Sequence, residues 1–88
     1  SIDDAGATNL SVYPNPVTAG DLMRISAQRN IYSYQIIDIS GRIVEQQNSL
    51  NSTDIHISTI SFNEGIYVIR LSTRSSEYTC KFMVKHNN

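Results

Sequence analysis

The stretch from Gly65 to Lys85, "GIYVIRLSTRSSEYTCKFMVK", decides the fold. Its residues change character at every step. Tyr67, Ile69 and Leu71 fall on one side of an extended chain, with Ile66, Val68 and Arg70 on the other. After the polar "RSSE", Tyr78, Cys80, Phe82 and Val84 alternate with Thr79, Lys81, Met83 and Lys85. Period two belongs to strands, because successive Cβ atoms point to opposite faces. Two such runs joined by a short polar turn predict an antiparallel pair, Gly65–Thr73 and Glu77–Lys85.

The same rhythm runs outward toward the N-terminus. It predicts short strands at Leu10–Tyr13 and Leu22–Ala27, the second with Met23, Ile25 and Ala27 on one face. "QRN" (28–30) reads as a turn. A strand from Ile31 to Ile39 follows, apolar on both faces at Tyr34, Ile36, Ile37 and Ile39, as suits a central strand. Ser40-Gly41 predicts a tight reversal, since glycine takes positive φ at low steric cost. Arg42–Gln47 and Thr53–Ser58 are the next strands, the latter with Ile55 and Ile57 inward and Asp54 and His56 outward. "TISFNEG" (59–65) is a connection anchored by Ile60 and Phe62. About seven short strands with frequent turn signals predict an all-β, immunoglobulin-like antiparallel sandwich.

"SVYPNPVTAGD" (11–21) interrupts the rhythm. Each proline removes a backbone donor and pushes the residue before it toward extended geometry. The stretch reads as a stiff, extended lead-in: a sheet edge, a rigid linker end, or an address read by other proteins. "SIDDAGATN" (1–9) is polar, small and aperiodic, and reads as a flexible leader. Residues 10–88 then form the folded unit, expected to be the C-terminal domain of a longer protein.

Composition narrows the function. The chain has 88 residues and a net charge of −1, so nothing in its charge predicts nucleic-acid binding or membrane attraction. No apolar run approaches the roughly 18 residues of a membrane span, and membrane insertion is not expected. Residues 1–10 carry Asp3 and Asp4 and no apolar block, so no signal peptide is read there. Charge is uneven: three basic residues face seven acidic ones from Ser1 to Glu64, and four face one from Gly65 onward. The basic end is either a docking face or a solvated sheet face.

Catalytic chemistry is not expected. His56 and His86 have no metal-ligand spacing, no glycine-rich phosphate loop is present, and the lone Cys80 shares an apolar strand face, where a thiol behaves as a small hydrophobe. No catalytic residue, metal or cofactor is assigned.

Four segments in order go further: "YPNP" (13–16), "IIDISGRIV" (36–44), "NEGIYVIRL" (63–71) and "CKFMVK" (80–85). Together they resemble the type A C-terminal sorting domain of type IX secretion (Por system) cargo, over Leu10 to Lys85. The tail His86-Asn87-Asn88 runs past that family's lysine-rich ending. The resemblance implies a seven-stranded immunoglobulin-like sandwich that marks cargo in the periplasm for passage through the outer-membrane translocon, with shuttle proteins as partners. The cargo is then secreted or held at the cell surface. It implies cleavage ahead of the domain by a sortase-like cysteine peptidase and joining of cargo to anionic lipopolysaccharide. The expected cut lies in Asp3–Asn9, around Ala5, Gly6, Ala7 and Thr8.

Pro14, Asn15 and Pro16 match the family's opening motif, Asp38, Gly41 and Arg42 its "D-x-x-G-R" hairpin, and Gly65 and Tyr67 its "G-x-Y". Lys81, Val84 and Lys85 match its basic final strand, whose edge is a candidate for pairing with a receptor. Each motif also has a structural reading, as turn, cross-strand pair or core. A homodimer through an exposed strand edge is open, as are two other roles, a carbohydrate-binding or adhesive module and a structural spacer.

Overall fold

The alternation over Gly65–Lys85 builds the longest unbroken pairing in the structure, a computed structural model that describes residues 10–86. The strands are β1 (Leu10–Tyr13), β2 (Val17–Thr18), β3 (Leu22–Asp38), β4 (Ile43–Gln47), β5 (Ser52–Ser58), β6 (Gly65–Thr73) and β7 (Glu77–Lys85). β6 and β7 run antiparallel from Gly65 opposite Val84 to Ser72 opposite Glu77. Their bounds match the sequence reading at both ends. The leader assigned to residues 1–9 lies outside the described residues.

β3 departs from expectation. Where the sequence predicts two strands and a turn, there is one strand of 17 residues. Its first half pairs with β1 on one side and β5 on the other. Its second half pairs with β4 and β6. One layer is therefore β1-β3-β5 and the other β4-β3-β6-β7-β2. Gln28, Arg29 and Asn30 are exposed because they span the gap where β3 passes from one layer to the other. Strands that switch layers make such corners at bends or bulges. The register with β6 slips by one residue between Ile31 and Ser33. That slip explains why the inward set changes from odd positions (Met23, Ile25, Ile31) to even ones (Tyr34, Ile36).

The core lies between the layers. Met23, Ile25, Ile31, Ile36, Ile57, Ile69, Leu71, Phe82, Val84 and Val17 are all essentially sealed from solvent. Each large apolar side chain buried this way contributes about 1.5–3 kcal/mol. The aromatic rings of Phe62, Tyr67 and Phe82 run in series, with centroids 5.1 and 5.5 Å apart. Tyr34 is buried by its ring, and its hydroxyl donates to the Glu45 carboxylate on β4 at 2.5 Å. Burial, reinforced by that bond, raises the Tyr34 pKa and keeps the donor protonated.

One predicted strand residue, Ile39, and one predicted anchor, Ile60, point elsewhere, while the other anchor, Phe62, is buried. Ile39 sits past the end of β3 and is 87% exposed. Ile60 is 78% exposed, while its neighbour Thr59 is fully buried. Thr59 goes inward because the backbone needs its hydroxyl. Its Oγ1 accepts the Gly20 N–H at 2.9 Å and donates to the Asp21 carbonyl at 2.6 Å. A part-buried Gly20 N–H without a partner would cost about 1–3 kcal/mol, comparable to what an isoleucine forgoes by staying exposed.

Candidate functional site

The proline segment is not an extended lead-in. Both the Tyr13–Pro14 and Asn15–Pro16 peptides are cis, and Pro14 to Pro16 form a run of bends. They carry the chain from β1 in one layer to β2 in the other. β2, which the sequence reading missed, runs parallel to β7 with Val17 beside Val84 and Thr18 beside Lys85. Two residues hemmed by a proline and a turn carry no periodicity, so no pattern announces them.

Between the prolines, the Asn15 side chain behaves as a peptide group. Its Oδ1 accepts the Met83 N–H at 3.0 Å and its Nδ2 donates to the Lys81 carbonyl at 3.3 Å. Asn15 and β2 together cover the outer edge of β7 from Lys81 to Lys85. That stretch of edge, which the sequence offered for pairing with a receptor, is already occupied by the chain itself.

The other motifs are also built into the frame. Asp38 closes the β3–β4 hairpin: its Oδ1 accepts the Ser40 N–H (3.0 Å), the Ser40 hydroxyl (2.6 Å) and the Arg42 N–H (3.0 Å). Its Oδ2 lies 3.4 Å from Arg42 Nε. The Ser40 hydroxyl bond first, then the Arg42 amide, holds the Asp38 carboxyl below its usual range. Gly41 has φ +91°, the left-handed region that favours glycine. Gly65 starts β6 at φ +148°, again a glycine conformation.

Tyr67 stacks in the core and its hydroxyl donates to the Asn63 carbonyl four residues back, at 2.7 Å. This is the tyrosine corner of immunoglobulin-like sandwiches, where a strand-opening Tyr pins the preceding connection. Burial first, and the Asp38 charge next, raise its pKa. The sequence reading marked Gly65 and Tyr67 and a core role for that motif, but not the bond to Asn63.

Exposure separates the motif residues. Tyr67 and Val84 are buried, so their side chains belong to the core rather than to a contact surface. Arg42, Lys81 and Lys85 reach solvent. Lys81 stands in a row of outward-facing side chains across the larger layer, with Ile43, Ile37 and Val68. The next row holds Ile66 and Met83, 44% and 45% exposed. The sequence reading assigned Ile66 and Met83 to this face without marking it as apolar. Ala5, Gly6, Ala7 and Thr8, the expected cleavage region, lie outside the described residues.

Titratable groups among the described residues meet in scattered pairs rather than in one cluster. Among the described residues, no group of three or more His, Cys, Asp or Glu side chains is close enough to hold a metal ion. Cys80 is half-buried, with its sulfur 3.8 Å from the Lys81 carbonyl. His86 Nδ1 lies 3.9 Å from Glu64 in an exposed pair, and His56 is exposed on β5.

A two-layer sandwich with a corner tyrosine, and a first strand divided between layers, defines an immunoglobulin-like domain. The chain belongs to the family described as the secretion system C-terminal sorting domain, whose sequence pattern it matches over residues 11–85. That family is the sorting domain of type IX secretion, and membership implies export to the cell surface or beyond in Gram-negative bacteria. Among solved structures, the chain is similar to part of PorZ, an essential bacterial surface component of the type-IX secretion system of Porphyromonas gingivalis. Identity is 22% and the TM-score 0.70, over 97% of this chain and 12% of PorZ. It is also similar to a DUF3244 family protein with an immunoglobulin-like β-sandwich fold from Bacteroides vulgatus. There identity is 20% and the TM-score 0.68, over 85% of this chain and 82% of the other. No curated protein sequence matches the chain.

Proposed function

We propose that this domain is read as a folded export tag by the shuttle and translocon proteins of the type IX system, and that it is a ligand rather than a catalyst. The observation that carries the reading is the family match over residues 11–85, whose motif residues join distant parts of one sandwich. A tag of this kind presents a shape, and Asn15, Asp38 and Tyr67 maintain that shape. The domain passes through the periplasm as a folded unit. Residues 1–9 serve as the leader, and a sortase-like cysteine peptidase cuts within Asp3–Asn9, around Ala5, Gly6, Ala7 and Thr8. Small side chains there ease the approach of a peptidase to the backbone. Cargo is then joined to anionic lipopolysaccharide.

The test is a fusion of residues 1–88 behind a periplasmic reporter in a bacterium with a working type IX system. A sorting tag carries the reporter to the surface or the medium, and a mutant lacking the translocon retains it. A reporter held in the periplasm of the parent strain would leave the domain as a structural spacer. Terminal sequencing of the exported reporter checks the leader: a new C-terminus within residues 3–9 is expected, and an intact fusion would remove the cleavage step.

A further inference from the structure

We propose that the outer face of the five-stranded layer, centred on a notch between Ile66 and Met83, is the surface by which an acidic, apolar segment of a partner protein holds this domain; the proposal rests on the export reading above. Pairing register sets the face. Ile66 and Met83 stand side by side across β6 and β7, and the neighbouring row runs Ile43, Ile37, Val68, Lys81. Ile43, Ile66 and Met83 are 47%, 44% and 45% exposed, and Ile37 and Val68 are half-buried beneath them. Apolar side chains clustered on one face of a soluble domain mark an interaction site, whereas single exposed ones do not.

Shape and charge choose the occupant. The notch has a volume of about 210 Å³ and is lined by Asn15, Ile66, Lys81, Phe82 and Met83. A shallow depression of that size has room to seat one large apolar side chain of the kind that anchors interfaces. The outward positions of β6 and β7 carry Arg70, Lys81 and Lys85 against Glu77, with Glu64 just before β6 lying near His86, while Arg42 beside Ile43 is paired with Asp38. Lys81 in the notch lining and Lys85 next along β7 favour a partner with carboxylates at that rim. A lipid surface is disfavoured by the chain's net charge of −1, which offers no general attraction to an anionic membrane. The partner segment thus inserts a leucine- or phenylalanine-like side chain between Ile66 and Met83 and sets acidic residues against Lys81 and Lys85. Asn15 lines the same notch while covering the β7 edge, so the "YPNP" segment shapes the recess without itself being the main contact.

The reporter fusion of residues 1–88 tests this with three variants, Met83→Glu, the double variant Lys81→Glu/Lys85→Glu, and His56→Glu on the opposite layer. A charge in the notch and inversion of the rim are each expected to lower the exported fraction about tenfold or more, the scale of an interface anchor. His56→Glu is expected to export like the parent. Circular dichroism melts of the purified chains show whether each variant is folded at growth temperature. If Met83→Glu is folded and exported like the parent, the proposal is overturned. If it is unfolded, the rim variant decides, and normal export of that variant overturns the proposal. Failure of the parent fusion itself would instead overturn the export reading. Two further outcomes replace the partner: sedimentation of the chain with phosphatidylglycerol vesicles, abolished by the rim variant, or a dimer in analytical ultracentrifugation, dissolved by Met83→Glu.

Discussion

Replacing Asn15 with alanine removes a side chain that makes two hydrogen bonds to the edge of the last strand, at 3.0 and 3.3 Å. Asn15 is exposed, so water takes up part of what is lost. A net value of about 0.5–1.5 kcal/mol per bond gives a loss of about 1–3 kcal/mol. In a domain of this length 1 kcal/mol moves Tm by about 4–8 °C, so the midpoint should fall by about 10 °C. Total stability for 88 residues is on the order of 5–10 kcal/mol, so Asn15→Ala still folds. The sharper assay is amide exchange. The Met83 N–H faces Asn15 at the sheet margin, and its protection should drop toward that of an open edge. Amides on β3 and on the β6 side of the pair should change only in step with global stability. Asn15→Asp separates the two bonds: it keeps an acceptor for Met83 but sets an oxygen against the Lys81 carbonyl. It should restore less than half of the lost stability. A Met83 amide that exchanges at the parent rate in Asn15→Ala, with an unchanged Tm, would refute the role given to this side chain.

Thr59→Val keeps the shape but orphans the Gly20 N–H and removes the hydroxyl from Asp21; urea unfolding should show a loss of about 2–4 kcal/mol. An unchanged midpoint would mean that water replaces the hydroxyl. Tyr67→Phe keeps the ring between Phe62 and Phe82 but frees the Asn63 carbonyl. A loss of about 1–2 kcal/mol is expected in a thermal melt, with aromatic packing retained in the near-ultraviolet spectrum. Asp38 has a lowered pKa in the folded chain against an ordinary value of 3.8. Its contribution is therefore complete above that value and lost as pH falls through the folded pKa. Asp38→Asn should flatten the part of the stability profile below about pH 4, and an acid limb as steep as the parent's would show that other carboxylates carry it.

What was legible in the sequence was what local pattern controls. The β6–β7 pair was bounded correctly because one face of each strand meets the core, and alternation records that directly. The Gly41 reversal was legible because its conformation is local. β3 was misread at Gln28–Asn30 because three polar residues look the same in a turn and in a strand crossing between layers. The slip near Ser33 then shifts the inward parity, so the run from Ile31 to Ile39 read as a separate strand, apolar on both faces. Ile60 was taken as an anchor by its hydrophobicity, while Thr59 was needed for hydrogen bonds to residues some forty positions away. Asn15 was hidden for the same reason. Its partners lie 66 and 68 residues downstream, and nothing beside it in the chain names them.

That separation has a consequence for timing. The clasp on β7 joins the beginning of the sandwich to its final strand, so it cannot fasten until nearly the whole domain has emerged from the ribosome. A chain broken off before Met83 lacks the amide that Asn15 holds. Only a domain synthesised through its last strand can therefore close the clasp, and the fold reports on its own completion.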